Sequence, residues 1–108
     1  MDAVHFATKF AALGHEARLS IVRLLLSAHP DGMVVGEIQE ELDIPASTLS
    51  HHLDALQREG LVRVTREGKF LRCRADAVGL RDLLAFLYAE CCTRNRLVSM
   101  SAVKGAAV

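Results

Sequence analysis

Apolar residues recur at helical spacing in five stretches of the chain and at strand spacing in two. Phe6, Phe10 and Leu13 fall at i, i+4 and i+7 and predict a helix over 3–13, closed by Gly14. Ala17, Ile21, Leu24, Leu25 and Ala28 form the stripe of a second helix over 16–28, followed by the turn signal His29-Pro30-Asp31-Gly32. Val35, Ile38 and Leu42 fit a short helix over 35–42, broken by Asp43-Ile44-Pro45-Ala46. The next helix, 46–59, turns Leu49, Leu53 and Leu56 inward and Ser47, Ser50, His51, Asp54 and Arg58 outward, with Gly60 as its C-cap. Two alternating stretches, 61–66 and 69–75, read as strands joined by a tight turn through Arg66-Glu67-Gly68-Lys69. Asp76 is placed to N-cap a last helix over 77–92, with Leu80, Leu84, Leu87 and Cys91 on one stripe and Leu83 beside it.

Two short helices, a tight turn and a β-hairpin make a winged helix-turn-helix, a mainly α fold with a small β-hairpin. The 108 residues suit one domain, over 1–92. The tail, 93–108, has small residues and no period after Asn95, and is expected to be mobile. No apolar run is long enough to span a bilayer, and the N-terminus lacks the basic start and apolar core of a signal peptide, so a cytoplasmic location is expected.

In this fold the second helix of the motif enters the major groove, and residues near its start meet base edges. Ser47, Thr48 and Ser50 are small donors and acceptors suited to that place, and His51 and His52 add longer ones as DNA-facing or buttressing groups. A Ser-Thr-x-Ser run at a helix start also serves plain capping. The formal net charge is zero, but it is unevenly spread. Residues 31–43 carry five acids and no Lys or Arg, whereas 58–74 carry Arg58, Arg63, Arg66, Lys69, Arg72 and Arg74 against Glu59 and Glu67. Phosphate binding needs a local basic surface of this kind, not a basic total. Arg58 and the hairpin tip from Arg66 to Lys69 are therefore candidate contacts to the DNA backbone or minor groove.

Two runs carry a family resemblance. Phe10 to Leu25 (Phe-Ala-Ala-Leu-Gly-His-Glu-Ala-Arg-Leu-Ser-Ile-Val-Arg-Leu-Leu) resembles the opening of ArsR/SmtB repressors. Pro45 to Val62 (Pro-Ala-Ser-Thr-Leu-Ser-His-His-Leu-Asp-Ala-Leu-Gln-Arg-Glu-Gly-Leu-Val) resembles their recognition helix and its exit, in the right order and at the right separation. The resemblance covers about residues 5–92. It implies a homodimer built on the first and last helices, double-stranded operator DNA as partner, and release when an inducer binds. It implies no enzyme activity, no catalytic residue and no required cofactor.

The resemblance implies a ligand site, but the family's familiar ones are absent: the helix over 35–42 lacks the Cys-x-Cys pair and the last helix lacks histidine, which leaves Cys73, Cys91 and Cys92. In the cytoplasm these are expected to be reduced thiols. Thiolates prefer soft centres. Trivalent arsenic takes two or three thiolates, and the layout resembles family members that combine a wing-strand cysteine with a vicinal pair in the last helix. Cys73, Cys91 and Cys92 are therefore expected to hold trivalent arsenic, methylarsenite or antimony as inducer. Adjacent helical side chains diverge by ~100°, so Cys91 and Cys92 share one atom only where the helix frays. A thiol redox or persulfide switch, another soft metal, and purely structural cysteines remain open alternatives. A thiol enzyme would want its nucleophile at a helix start, whereas Cys91 and Cys92 lie at a predicted helix end. A winged-helix module that binds only protein would lack salt-sensitive DNA binding.

Overall fold

A computed structural model describes residues 2–94. Five helices and three short strands follow in the order α1 (Ala3–Leu13), α2 (Glu16–Ser27), β1 (Met33–Val34), α3 (Val35–Leu42), α4 (Ala46–Arg58), β2 (Val62–Glu67), β3 (Phe70–Ala75) and α5 (Ala77–Tyr88). This is the winged helix-turn-helix that the patterning predicts. The expectation of a mobile tail from residue 95 onward lies outside the described residues. Among those described, no helix is long and apolar enough to cross a membrane.

The core is the meeting of the predicted stripes. Ile21 and Leu25 of α2, Ile38 of α3, Leu49 and Leu56 of α4, and Leu61 are all fully buried. Phe6 of α1 stacks on Phe86 of α5 with ring centroids 4.1 Å apart, tying these two helices together. The helix starts are capped as local chemistry requires. Asp2 accepts the His5 N–H, the His15 ring accepts the Ala17 N–H, and Asp76 accepts the Gly79 N–H at 2.9 Å, as expected of Asp76 from sequence.

Three features differ from the sequence expectation. The sheet has a third strand: β1 pairs antiparallel with β3, Met33 opposite Cys73, so β3 lies between β1 and β2. A two-residue strand has no period of its own, and only its partner reveals it. The hairpin loop is Gly68-Lys69, with Glu67 opposite Phe70, so both strands sit about one residue later than predicted. Finally, α5 ends at Tyr88, not at 92. Its last turn tightens into bonds from Ala89 N–H to the Phe86 carbonyl and from Cys91 N–H to the Tyr88 carbonyl, and Cys92 then adopts φ 66°. Its expected inward stripe also divides: Leu83 is buried, Leu80 half-buried, and Leu84 and Leu87 stand exposed on the single chain.

The exit of α4 is a tight junction. The Gly60 N–H reaches the Gln57 carbonyl and the Leu61 N–H reaches the Leu56 carbonyl, the paired bonds of a Schellman turn with Gly60 at φ 73°. The first turn of α5 sits directly on this exit: a Cβ on Gly79 would fall 2.3 Å from the Gly60 carbonyl oxygen. No side chain fits without separating the two helices. Gly79→Ala is expected to destabilise the protein by about 1–3 kcal/mol, in the range of overpacking a core, measured as a lower urea midpoint at unchanged m-value.

Candidate nucleic-acid interface and thiol pair

The outward face of α4 follows from its inward face. Burying Leu49, Leu53 and Leu56 is worth ~1.5–3 kcal/mol each, far more than any surface polar contact, so the opposite face must look outward. Ser47, Ser50, His51, Asp54 and Arg58 are all exposed, as the spacing predicted, and Thr48 is exposed too.

His52 is not among them. It is 6% exposed, and its Nδ1 accepts a hydrogen bond from Arg18 Nε of α2 at 3.2 Å. The His15 ring lies 4.7 Å from it, centroid to centroid. Of the two roles left open, buttressing and DNA-facing, the structure assigns the first: His52 shares the buried side of α4 with Leu49 and Leu53, one turn from Leu56. Burial, followed by the nearby His15, Arg18 and His51, holds its pKa below the ordinary histidine value. Its partner, Arg18, lies 34 residues away, and no local pattern connects the two.

The basic cluster of 58–74 sorts itself into paired and open charges. Arg63 binds Asp76 at 3.1 Å, and Arg72 and Arg74 bind Glu67 at 2.8 and 3.4 Å. Among the described residues, Arg58, Arg66 and Lys69 have no carboxylate partner, and all three are exposed. The three open cations are those singled out from sequence. They lie at the end of α4 and at the hairpin tip, where phosphates on either side of a major-groove site are met.

The thiols divide as well. Cys91 and Cys92 lie in the turns beyond α5, half-buried, with their Sγ atoms 3.1 Å apart. The early end of α5 is what brings adjacent side chains together. The hydrogen bond between the two thiols, then desolvation, pushes the Cys91 pKa up. Within the single chain Cys73 is not grouped with them. It occupies the middle of the central strand, opposite Met33 on one side and Val64 on the other, and is fully buried in the core. Burial pushes its pKa up to about 11. Among the described residues, no three His, Cys, Asp or Glu side chains are grouped to hold a metal ion.

This geometry has known counterparts. Residues 13–65 match a family profile described as a helix-turn-helix domain. Over 90 residues the chain is 33% identical to the biofilm growth-associated repressor of Agrobacterium fabrum, spanning 83% of this chain and 74% of that protein. The fold is similar to the ArsR-like transcriptional regulator from Rhodococcus sp. RHA1, with TM-score 0.72 and 27% identity over 96% of this chain and 93% of that one. It is also similar to the homodimeric winged helix-turn-helix DNA-binding domain of Mb0332 from Mycobacterium bovis, with TM-score 0.65 and 28% identity, covering 79% and 76% of the two chains. The chain belongs to the ArsR/SmtB family of winged helix-turn-helix transcriptional regulators.

As an ArsR/SmtB regulator the protein is not an enzyme, and α4 is the second helix of its helix-turn-helix. The grip on that helix is then of functional interest. At its end, Thr8 Oγ1 of α1 donates to Glu59 Oε1 at 3.0 Å and Lys9 Nζ donates to the Glu59 carbonyl, while Gly79 of α5 covers Gly60. Nearer its middle, Arg18 of α2 holds His52.

The buried histidine makes the fold sensitive to acid. A folded pKa below the unfolded value near 6.5 leaves stability intact above that pH. As pH falls below it, the unfolded chain takes up a proton that the folded chain refuses, and stability drops. The melting temperature is expected to fall from pH 7.5 to pH 5.5. In His52→Asn, whose side-chain oxygen can still accept from Arg18, that fall should be shallower.

Proposed function

We propose that this ArsR/SmtB regulator is a homodimeric repressor that binds operator DNA through α4 and the hairpin tip and is released by a trivalent arsenical at Cys91 and Cys92. The observation that carries the inducer reading is the 3.1 Å separation of the two thiols. Bonds of ~2.3 Å, the length of metal–thiolate bonds, bring two sulfurs on one soft centre within ~4 Å of each other. The pair is thus already close to a bridging arrangement. It offers two thiols and no third, which favours methylarsenite, with two exchangeable valences, over inorganic arsenite.

The binding step is an exchange. Each arsenic–sulfur bond forms as an arsenic–oxygen bond breaks, and the thiol proton leaves with the hydroxide as water. Arsenic stays trivalent, and the raised thiol pKa does not block a step that consumes thiols. A redox switch fits less well, because it wants an exposed thiol of low pKa, while both Cys73 and Cys91 are shifted upward. Arg72 and Arg74, which flank Cys73 in sequence, are engaged by Glu67 instead.

The dimer reading is supported by the apolar residues left uncovered on the two terminal helices: Val4 on α1, and Leu84, Leu87 and Tyr88 on α5. The homodimeric Mycobacterium bovis relative supports it too. Two recognition helices would then meet half-sites about one DNA turn apart, ~34 Å. The same two helices grip the end of α4, so a ligand that reshapes the end of α5 alters the spacing of the reading heads. A coupling of ~1–3 kcal/mol, typical of allosteric proteins, lowers DNA affinity about 5–150-fold.

Fluorescence anisotropy of the reduced protein on its own promoter DNA tests this reading. Methylarsenite is expected to release the DNA at lower concentration than arsenite. Cys91→Ser and Cys92→Ser should bind DNA normally and stay bound, while Cys73→Ala should release like the wild type. Normal release from both serine variants would reject the dithiol site.

A further inference from the structure

The hairpin tip displays an aromatic ring that the recognition helix and the open cations leave unexplained. Phe70 is 55% exposed, and its neighbour Leu71 is 40% exposed. Single exposed apolar side chains are common, but this one stands at the narrow end of a two-residue loop among open cations. Lys69 Nζ lies 5.7 Å from the centre of its ring. Arg66 donates to the Gly68 carbonyl across the loop at 3.5 Å.

Period-two alternation places Phe70, Arg72 and Arg74 on one face of β3, and the register puts Glu67 opposite Phe70 on that face. Glu67 is the sole acid between Val62 and Ala75. Arg72 and Arg74 hold its carboxylate toward the base of the hairpin, away from the tip. What remains at the end of the wing is an apolar ring beside Lys69 on that face, with Arg66, opposite Leu71, on the other face.

That combination matches the minor groove, whose phosphate rims are anionic and whose sugar walls are apolar. Paired strands lie ~4.8 Å apart and the groove is ~6 Å wide, so only the tip of such a hairpin enters. We propose that Phe70 is the minor-groove contact of the wing, its ring lying against sugar and base edges while Lys69 and Arg66 meet the phosphates. The inference rests on the DNA-binding reading above and adds a residue that acts without charge. Because the groove narrows in A-tracts, the contact makes the protein sensitive to sequence flanking its major-groove site.

Anisotropy titrations of the full chain over a range of salt, on its promoter duplex and on duplexes with A·T-rich or G·C-rich flanks, test the assignment. Phe70→Ala is expected to bind about five- to tenfold more weakly, the effect of losing part of an aromatic side chain's burial. Its salt slope should equal that of the wild type, and its flank preference should disappear. Lys69→Ala should instead lower the slope by about one. Phe70→Leu should recover part of the affinity, and melting curves should show all three variants folded, since these side chains are exposed. Salt-dependent binding by the wild type with no change in Phe70→Ala would overturn the role of Phe70 alone, as would a weakened Phe70→Ala whose slope falls like that of Lys69→Ala. Absence of salt-dependent binding by the wild type would overturn the DNA reading and this inference together.

Discussion

The end of the recognition helix is held by backbone in van der Waals contact with backbone. Gly79 brings the first turn of α5 onto the Gly60 carbonyl, the Schellman turn at Gly60 and Leu61 fixes where α4 stops, and Lys9 and Thr8 tie α1 to Glu59. Such contacts leave little room for continuous adjustment, because close-packed backbone either fits or must separate. The end of α4 is therefore tied to α1 and α5, helices that also carry uncovered apolar side chains. In the proposed dimer, DNA reading and subunit pairing share one mechanical frame.

The helical register within that frame is decided by magnitude. Three buried leucines outweigh the surface ion pairs of the wing, each worth ~0–1 kcal/mol. The apolar face chooses the orientation of α4, and the exposed serines, threonine and His51 inherit theirs. The wing ion pairs contribute charge distribution instead: they occupy Arg63, Arg72 and Arg74 and leave Arg58, Arg66 and Lys69 open.

How much of this was legible in the sequence follows from the range of each interaction. The stripe of α4, the Gly60 exit and the Asp76 cap are local patterns and were readable at once. The β1 strand was not, because two residues carry no period. The sidedness of His51 and His52 was ambiguous until Arg18 was seen to reach one of them from 34 residues away. The depth of Cys73 did leave a trace, since Cys73 and Ala75 fall on one face of an alternating strand, and a purely structural cysteine was among the readings left open. The end of α5 was misplaced because Leu84, Leu87 and Cys91 continue a helical stripe that, on the single chain, meets no core.

That early helix end brings Cys91 and Cys92 together, and the proposed sensing chemistry depends on it. Arsenic K-edge absorption fine structure of the arsenite-loaded protein counts the sulfurs directly. The account predicts two sulfur neighbours and one lighter oxygen neighbour on each arsenic. Three sulfurs, or none, would contradict a site made of Cys91 and Cys92 alone.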